Sequence, residues 1–162
     1  MGTTLAYGDL KPEHVVFPDG PDGRPVLLDP GLLRASPMVD VAKLMSRTVL
    51  VLVVHRPAPE VTRQIFDGLA LLAVARGGHL GPRERRGWVR HLLTLWLMDT
   101  VNIVTTYLSA PAALPLPRLG LALVDRAVPV ARLVDAVSAD LLAPPARGTG
   151  ERVLDRIAGV AA

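Results

Sequence analysis

Asp9, Lys11, His14 and Asp29 are the residues of this chain whose types and spacing could do chemistry. They stand in Tyr7-Gly8-Asp9-Leu10-Lys11-Pro12-Glu13-His14 and in Leu27-Leu28-Asp29-Pro30-Gly31. A carboxylate within reach of a hydroxyl can take its proton. A second carboxylate offers the hard oxygen that magnesium prefers. An ammonium two residues from the first supplies a point charge for an oxyanion. The two aspartates are well separated in sequence, so the residues between them decide whether they meet.

Those residues encode a hairpin. Gly8 and Pro12 flank a loop that carries Asp9. Val15-Val16-Phe17 has the β-branched and aromatic character of a short strand. Pro18-Asp19-Gly20 and Pro21-Asp22-Gly23 are two turn signals in succession. Pro25 to Leu28 then reads as the return strand. Antiparallel pairing puts Asp9 and Asp29 at the same open end.

After Gly31 the pattern is helical. Asp40 is placed to cap a helix over Val41–Val54, with Val41, Leu44, Met45, Thr48 and Leu52 on one side. Pro57 and Pro59 break it. A second helix is expected over Glu60–Arg76, with Val61, Ile65, Leu69, Leu72 and Val74 as its apolar set and Gly77-Gly78 as its stop. A third runs from Pro82 to Leu108. Pro111, Pro115 and Pro117 form a linker. A fourth runs from Arg118 to Leu142 with a kink at Pro129. Pro144-Pro145 and Gly148–Gly150 make a loop before a last short helix, Glu151–Val160. No internal repeat is visible. The expected fold is mainly α (α+β), a single domain over residues 1–162. Residues 5–45 hold the hairpin and its two loops, and 46–162 form the helical part.

Composition agrees with that class. The chain is 50% hydrophobic but only 4% aromatic, so its apolar mass is Leu, Val and Ala, which suits packed helices. Charged residues make up 20%, below the usual ~25%, and a disordered chain is excluded. Its 162 residues suffice for one domain with a real core, and the apolar excess suggests surface that a further lobe or a second copy would cover. There are 18 Lys and Arg against 15 Asp and Glu, for a net charge of +3. Arg83, Arg85, Arg86 and Arg90 cluster at the start of the third helix. No recognition motif accompanies them, so they read as a solvated helix face, and no nucleic-acid partner is expected. With no cysteine, disulfides and thiolate metal sites are excluded and a reducing cytoplasm is permitted. No signal peptide is visible at Met1–Ala6. Val49–Val54 is too short to span a membrane, and Leu92–Leu108 carries Asp99 and Asn102, so it reads as a core helix and no membrane span is expected. His55, His79 and His91 have no metal-ligand spacing.

The order of motifs resembles the C-terminal lobe of the aminoglycoside phosphotransferase and choline kinase group, relatives of the protein kinases. The resemblance covers residues 5–45 and is architectural beyond them. The catalytic loop of that family reads His-Gly-Asp-x-x-x-x-Asn. This chain has Tyr7-Gly8-Asp9 and then His14 at the Asn place. Gly8 resembles the small-molecule kinases, Leu10-Lys11-Pro12-Glu13 the protein kinases. Asp29 matches the second family aspartate, and Val39-Asp40-Val41-Ala42 resembles the Asp-Leu-Ala stretch that opens the next helix.

The resemblance implies an ATP-dependent transfer of the γ-phosphate to a hydroxyl of a small molecule, with magnesium as the cofactor. It implies Asp9 as catalytic base or orienting group, and Lys11 as a catalytic contact to the transferred phosphate and to the nucleotide. Asp29 is implied as the metal ligand, with His14 at a metal- and nucleotide-binding position. His14 and Tyr7 depart from the pattern, and imidazole is a poor substitute for an amide oxygen on magnesium. Asp40 reads as a helix cap and loop support. In the family a nucleotide-covering lobe precedes the motif. Here the motif starts at residue 7, with no Gly-rich loop or strand-borne lysine before it. The expectation is therefore a truncated lobe, inactive alone: a gene fragment, a chain with a misassigned start, or a lobe that receives its nucleotide-binding partner from another polypeptide. Glu60, Asp67, Asp99 and Asp125 are scattered, so the acceptor stays open. Two other readings stand beside this one. One is a non-catalytic, pseudokinase-like interaction module. The other is an unrelated helical protein in which the motif is accidental.

Overall fold

The two Pro-Asp-Gly turns reverse the chain as their residue types require. Gly20 takes a left-handed φ of +88°, which costs glycine nothing. Its amide donates to the Phe17 carbonyl at 3.2 Å, and the Gly23 amide to the Gly20 carbonyl at 2.9 Å. The strands on either side, β2 (Val15–Val16) and β3 (Val26–Leu27), pair antiparallel with Val15 opposite Leu27. The Leu28 amide closes the ladder on the His14 carbonyl at 2.9 Å. The expected hairpin is therefore present, in a computed structural model that describes residues 3–143 together with Arg152, Val153, Arg156, Ile157 and Gly159.

A second ribbon accompanies the hairpin and has no counterpart in the sequence pattern. β1 (Thr4–Ala6) pairs antiparallel with β4 (Leu33–Ala35), Thr4 opposite Ala35 and Ala6 opposite Leu33. Helical structure thus begins later than the first residues after Gly31. Both strands are three residues long, and only Ala6 is buried. No period-two burial pattern marks them in sequence.

Five helices follow: α1 (Val39–His55), α2 (Pro59–Gly77), α3 (Pro82–Leu108), α4 (Arg118–Asp125) and α5 (Ala127–Leu142). The chain is mainly helical with small two-stranded sheets, an α+β arrangement. The expected span of α3 matches. α1 and α2 each extend the expected helix by one or two residues at either end, within ordinary fraying.

α1 is the central element, packed against α3 above all and also against α2 and α4. It buries Val41, Ala42, Met45, Ser46, Val49, Leu50, Leu52 and Val53. Leu44 and Thr48, expected on its inner side, are only half-buried. A helix with neighbours on several sides buries a wider and differently centred stripe than a one-faced surface helix. α2 lies further out. It buries Thr62, Phe66 and Leu69 and leaves Val61 exposed.

The expected long fourth helix is two helices. The break falls at Arg126 (φ −102°, ψ 14°), and Pro129 sits in the first turn of α5, where no backbone donor is needed. Arg126 also donates a guanidinium N–H to the Val53 carbonyl of α1 at 3.5 Å. Within the expected last helix, Arg152, Val153, Arg156, Ile157 and Gly159 are helical, and the remainder lies outside the described residues. Val153 and Ile157 join the core formed by Leu50, Trp96, Leu123 and Val137. Arg156 holds Asp140 at 2.7 Å.

Among the described residues no helix is long and apolar enough to cross a membrane. Arg83, Arg85, Arg86 and Arg90 are all exposed on α3.

Leu50, 1% exposed at the centre of the core, reports on this packing. Leu50→Ala should lower unfolding stability by about 2–5 kcal/mol. Urea denaturation followed by circular dichroism measures it, and a loss below about 1 kcal/mol would contradict the packing described.

Candidate functional site

The loop that carries Asp9 is shaped from below by Asp40. Asp40 stands in the first turn of α1, and one carboxylate oxygen accepts from the Tyr7 amide and the other from the Gly8 amide, both at 2.7 Å. Asp40 makes no side-chain cap of its own helix. Of its two expected roles, loop support is observed and capping is not. These are charge-assisted bonds in a partly buried setting, the stronger class of hydrogen bond.

Gly8 has to be glycine for two reasons. Its φ is +91°, and a Cβ there would lie 2.8 Å from Cδ2 of Leu33. β4 therefore presses directly on the turn that presents Asp9. The segment leading into β4 also meets this turn. The Leu32 amide donates to the Tyr7 carbonyl at 2.9 Å, and Gly31 packs against the backbone of residues 7–9. The loop that starts at Asp29 and the loop that bears Asp9 are thus stitched together at one end of the hairpin, as antiparallel pairing requires. Asp29 itself is exposed and has a left-handed φ of 56°.

Around Asp9 the charges are positive. Lys11 Nζ donates to Asp9 Oδ2 at 2.9 Å, and Lys43 Nζ lies 3.9 Å from Asp9 Oδ1. Partial burial alone would raise the Asp9 carboxyl. The hydrogen bond and charge of Lys11, with the charges of Lys43 and Arg47 behind it, outweigh that and hold it below its ordinary value. Lys11 reaches Asp9 because the next residues, Pro12–His14, form a single 3₁₀ turn entered from an extended Lys11.

His14 ends that turn. Its Nδ1 is buried without a partner, and so is the Tyr7 hydroxyl. The two rings lie 6.3 Å apart and tilted. Among the described residues His14 makes no hydrogen bond to Asp9. Burial and the negative charges of Asp29, Asp9 and Asp40 push the Tyr7 hydroxyl up from its ordinary value.

Lys43, Ser46 and Arg47 join the site without a motif of their own in the sequence. Asp40, Lys43 and Arg47 follow one another at i, i+3 and i+7, so they share a face of α1. That spacing, starting from Asp40, is the signal that could have found them. Ser46 is fully buried and donates a short hydrogen bond to Asp99 of α3. Lys43 Nζ is 3.7 Å from the other oxygen of Asp99. Asp99 is therefore a satisfied contact between α1 and α3, linked through Lys43 to Asp9. Asn102 is exposed, and its carbonyl accepts from the hydroxyls of Thr105 and Thr106.

No group of three His, Asp or Glu side chains that could hold a metal ion is found among the described residues. That donor set does not suit a cation caged by protein alone. It fits magnesium held jointly by one exposed carboxylate and phosphate oxygens, the usual way magnesium accompanies a nucleotide. Asp29 is the exposed carboxylate that could take this part, and His14, half-buried with its Nδ1 withdrawn from solvent, is the poorer donor. No family model, no curated protein and no solved structure matches the chain.

The Asp9 charge cluster has a measurable pH signature. A carboxyl below its ordinary 3.8 when folded contributes stability that is present above about pH 3.8 and lost as the pH falls through the folded value. The Asp9 Cγ resonance should therefore titrate with a midpoint below 3.8. In Lys11→Met the midpoint should move up toward 3.8. An unchanged midpoint would remove Lys11 as the main stabilising partner.

Proposed function

We propose that this chain is a phosphotransferase-family lobe, resembling the C-terminal lobe of the aminoglycoside phosphotransferase and choline kinase group. The observation that carries the reading is the Asp40 clamp. It holds a Tyr-Gly-Asp turn by both of its leading amides and presents Asp9, ion-paired to Lys11, beside the loop that begins at Asp29.

Each residue then has a role in phosphoryl transfer, which depends mainly on positioning and charge. Asp9, already an anion with a low proton affinity, orients the acceptor hydroxyl and takes its proton as the new bond forms. Lys11, which holds Asp9 without nucleotide, can turn to the transferred phosphate. Asp29 would hold the magnesium that accompanies ATP, and that ion supplies neutralising charge on the phosphates when bound. Asp40 touches neither substrate. It fixes the turn, so that Asp9 is presented in one geometry.

A second reading is favoured by different observations. The two ribbons leave Leu5, Val16, Phe17, Val26, Leu27, Leu28, Leu32 and Leu33 exposed. Tyr7 and His14, the two departures from the family pattern, both carry buried polar atoms without partners. A pseudokinase-like interaction module would use such an apolar surface for a partner and would need no working metal site.

Calorimetric titration with ATP tests the first of these readings. Under the phosphotransferase reading, ATP binds only with magnesium, and Asp29→Ala abolishes the binding while the circular dichroism spectrum stays unchanged. Absence of binding with and without magnesium would reject a working nucleotide half-site in this chain and leave either a fragment or the interaction module.

A further inference from the structure

A cavity of about 230 Å³ lies between α1 and α3, lined by Val39, Ala42, Lys43, Leu95, Met98 and Asp99. Four of these walls are apolar. The two polar ones are the pair that leads to Asp9, since Lys43 Nζ stands 3.7 Å from Asp99 and 3.9 Å from Asp9. Lys43 thus links the cavity it lines to the carboxylate proposed to receive the acceptor proton.

We propose that this cavity is the acceptor subsite, that it takes a compact, uncharged alcohol with a mostly apolar body, and that Lys43 directs its hydroxyl toward Asp9. The inference rests on the phosphotransferase reading above. Size argues first. Pockets for drug-sized ligands span roughly 300–1,000 Å³, so this one suits a smaller molecule than a multi-ring amino sugar. Charge argues next. Asp99 is engaged by the Ser46 hydroxyl and by Lys43, so an incoming cation finds no free carboxylate among the lining residues and meets Lys43 instead. An anion meets Asp9 and Asp99.

The unfilled capacity is that of Lys43. Its charge is balanced by two carboxylates, but both lie beyond hydrogen-bond distance, and none of its three N–H donors has an acceptor among the described residues. A neutral hydroxyl oxygen fills that need without adding charge, and its apolar remainder fits against Leu95 and Met98. In the transfer step the alcohol proton passes to an Asp9 oxygen and the alcohol oxygen bonds the γ-phosphorus. The bond from that phosphorus to the β–γ bridging oxygen breaks, and the nucleoside diphosphate leaves with the electron pair.

Met98 gives a direct readout, because its side chain lines the cavity while Met38 and Met45 are buried in the core. The full chain, labelled with ¹³C at the methionine methyls, is titrated with 3-methyl-1-butanol and, separately, with choline. The alcohol should shift the Met98 resonance saturably and leave Met38 and Met45 in place, with choline shifting none. Lys43→Met, which keeps the stem and removes the donors, should weaken the alcohol about tenfold or more, with the Met38 and Met45 resonances reporting an intact fold. Choline binding as well as the alcohol, alcohol binding indifferent to Lys43→Met, or no Met98 shift at all would each overturn the subsite. Magnesium-dependent ATP binding is measured on the same samples. ATP binding without an alcohol response rejects the subsite and keeps the phosphotransferase reading. A Lys43-dependent alcohol response without ATP binding supports the cavity as an alcohol site and counts against the phosphotransferase.

Discussion

The Asp40 carboxylate, shared between the Tyr7 and Gly8 amides, is the contact on which the candidate site depends. Those amides follow β1 directly and lie outside any ladder, so without Asp40 they would need another acceptor in a partly buried place. A charged acceptor serving two donors at once is worth more than a pair of neutral bonds, and removing it leaves both unsatisfied. It also joins the two halves of the domain. The turn that bears Asp9 belongs to the β layer, and Asp40 belongs to the first turn of α1. One side chain therefore fixes the height and orientation of Asp9 relative to the helical core.

From that joint the rest of the site follows along α1. The residues a turn and two turns further on, Lys43 and Arg47, are carried to the same face by helical geometry and surround Asp9 with positive charge. Ser46, one turn on from Lys43, fastens α1 to α3 through Asp99. A helix that is buried on several sides cannot easily rotate or slide, because its neighbours are close-packed. The rigidity of Leu50, Val49 and Val53 in the core is thus transmitted to a charge cluster at the end of the same helix. Packing and site are one structure here, with α1 as the common part.

Much of this is legible in the residues. The two Pro-Asp-Gly turns act locally, so the hairpin and the meeting of the Asp9 and Asp29 loops follow from residue types alone. Pro82 at the start of α3 and the residue pattern up to Leu108 set that helix in the same way. What is not legible depends on contacts distant in sequence. β1 and β4 are three residues each and exist because they pair with one another, and neither alone has a strand pattern. The break at Arg126 is, by contrast, a local effect: it falls one turn before Pro129, which lacks the amide that would bond the Asp125 carbonyl. Periodicity places Val41, Met45 and Leu52 on the inner face of α1 but misses Val49, Leu50 and Val53 and adds the half-buried Leu44 and Thr48, because its stripe is decided by three neighbouring helices. For the same reason Lys43, Ser46 and Arg47 carry no signal of their own, since only the rotation of α1 says which of its polar residues look toward Asp9.

The two orphaned atoms beside this cluster carry a last physical point. The Tyr7 hydroxyl and the His14 Nδ1 are both withdrawn from solvent with no partner, close to three aspartates that disfavour the phenolate. Buried polar groups without partners are costly, and a fold tolerates them where something else supplies the missing bond. A neutral tyrosine there remains a hydrogen-bond donor at any physiological pH, because its shift is upward. It can therefore donate to an incoming acceptor without competing with Lys11 for Asp9.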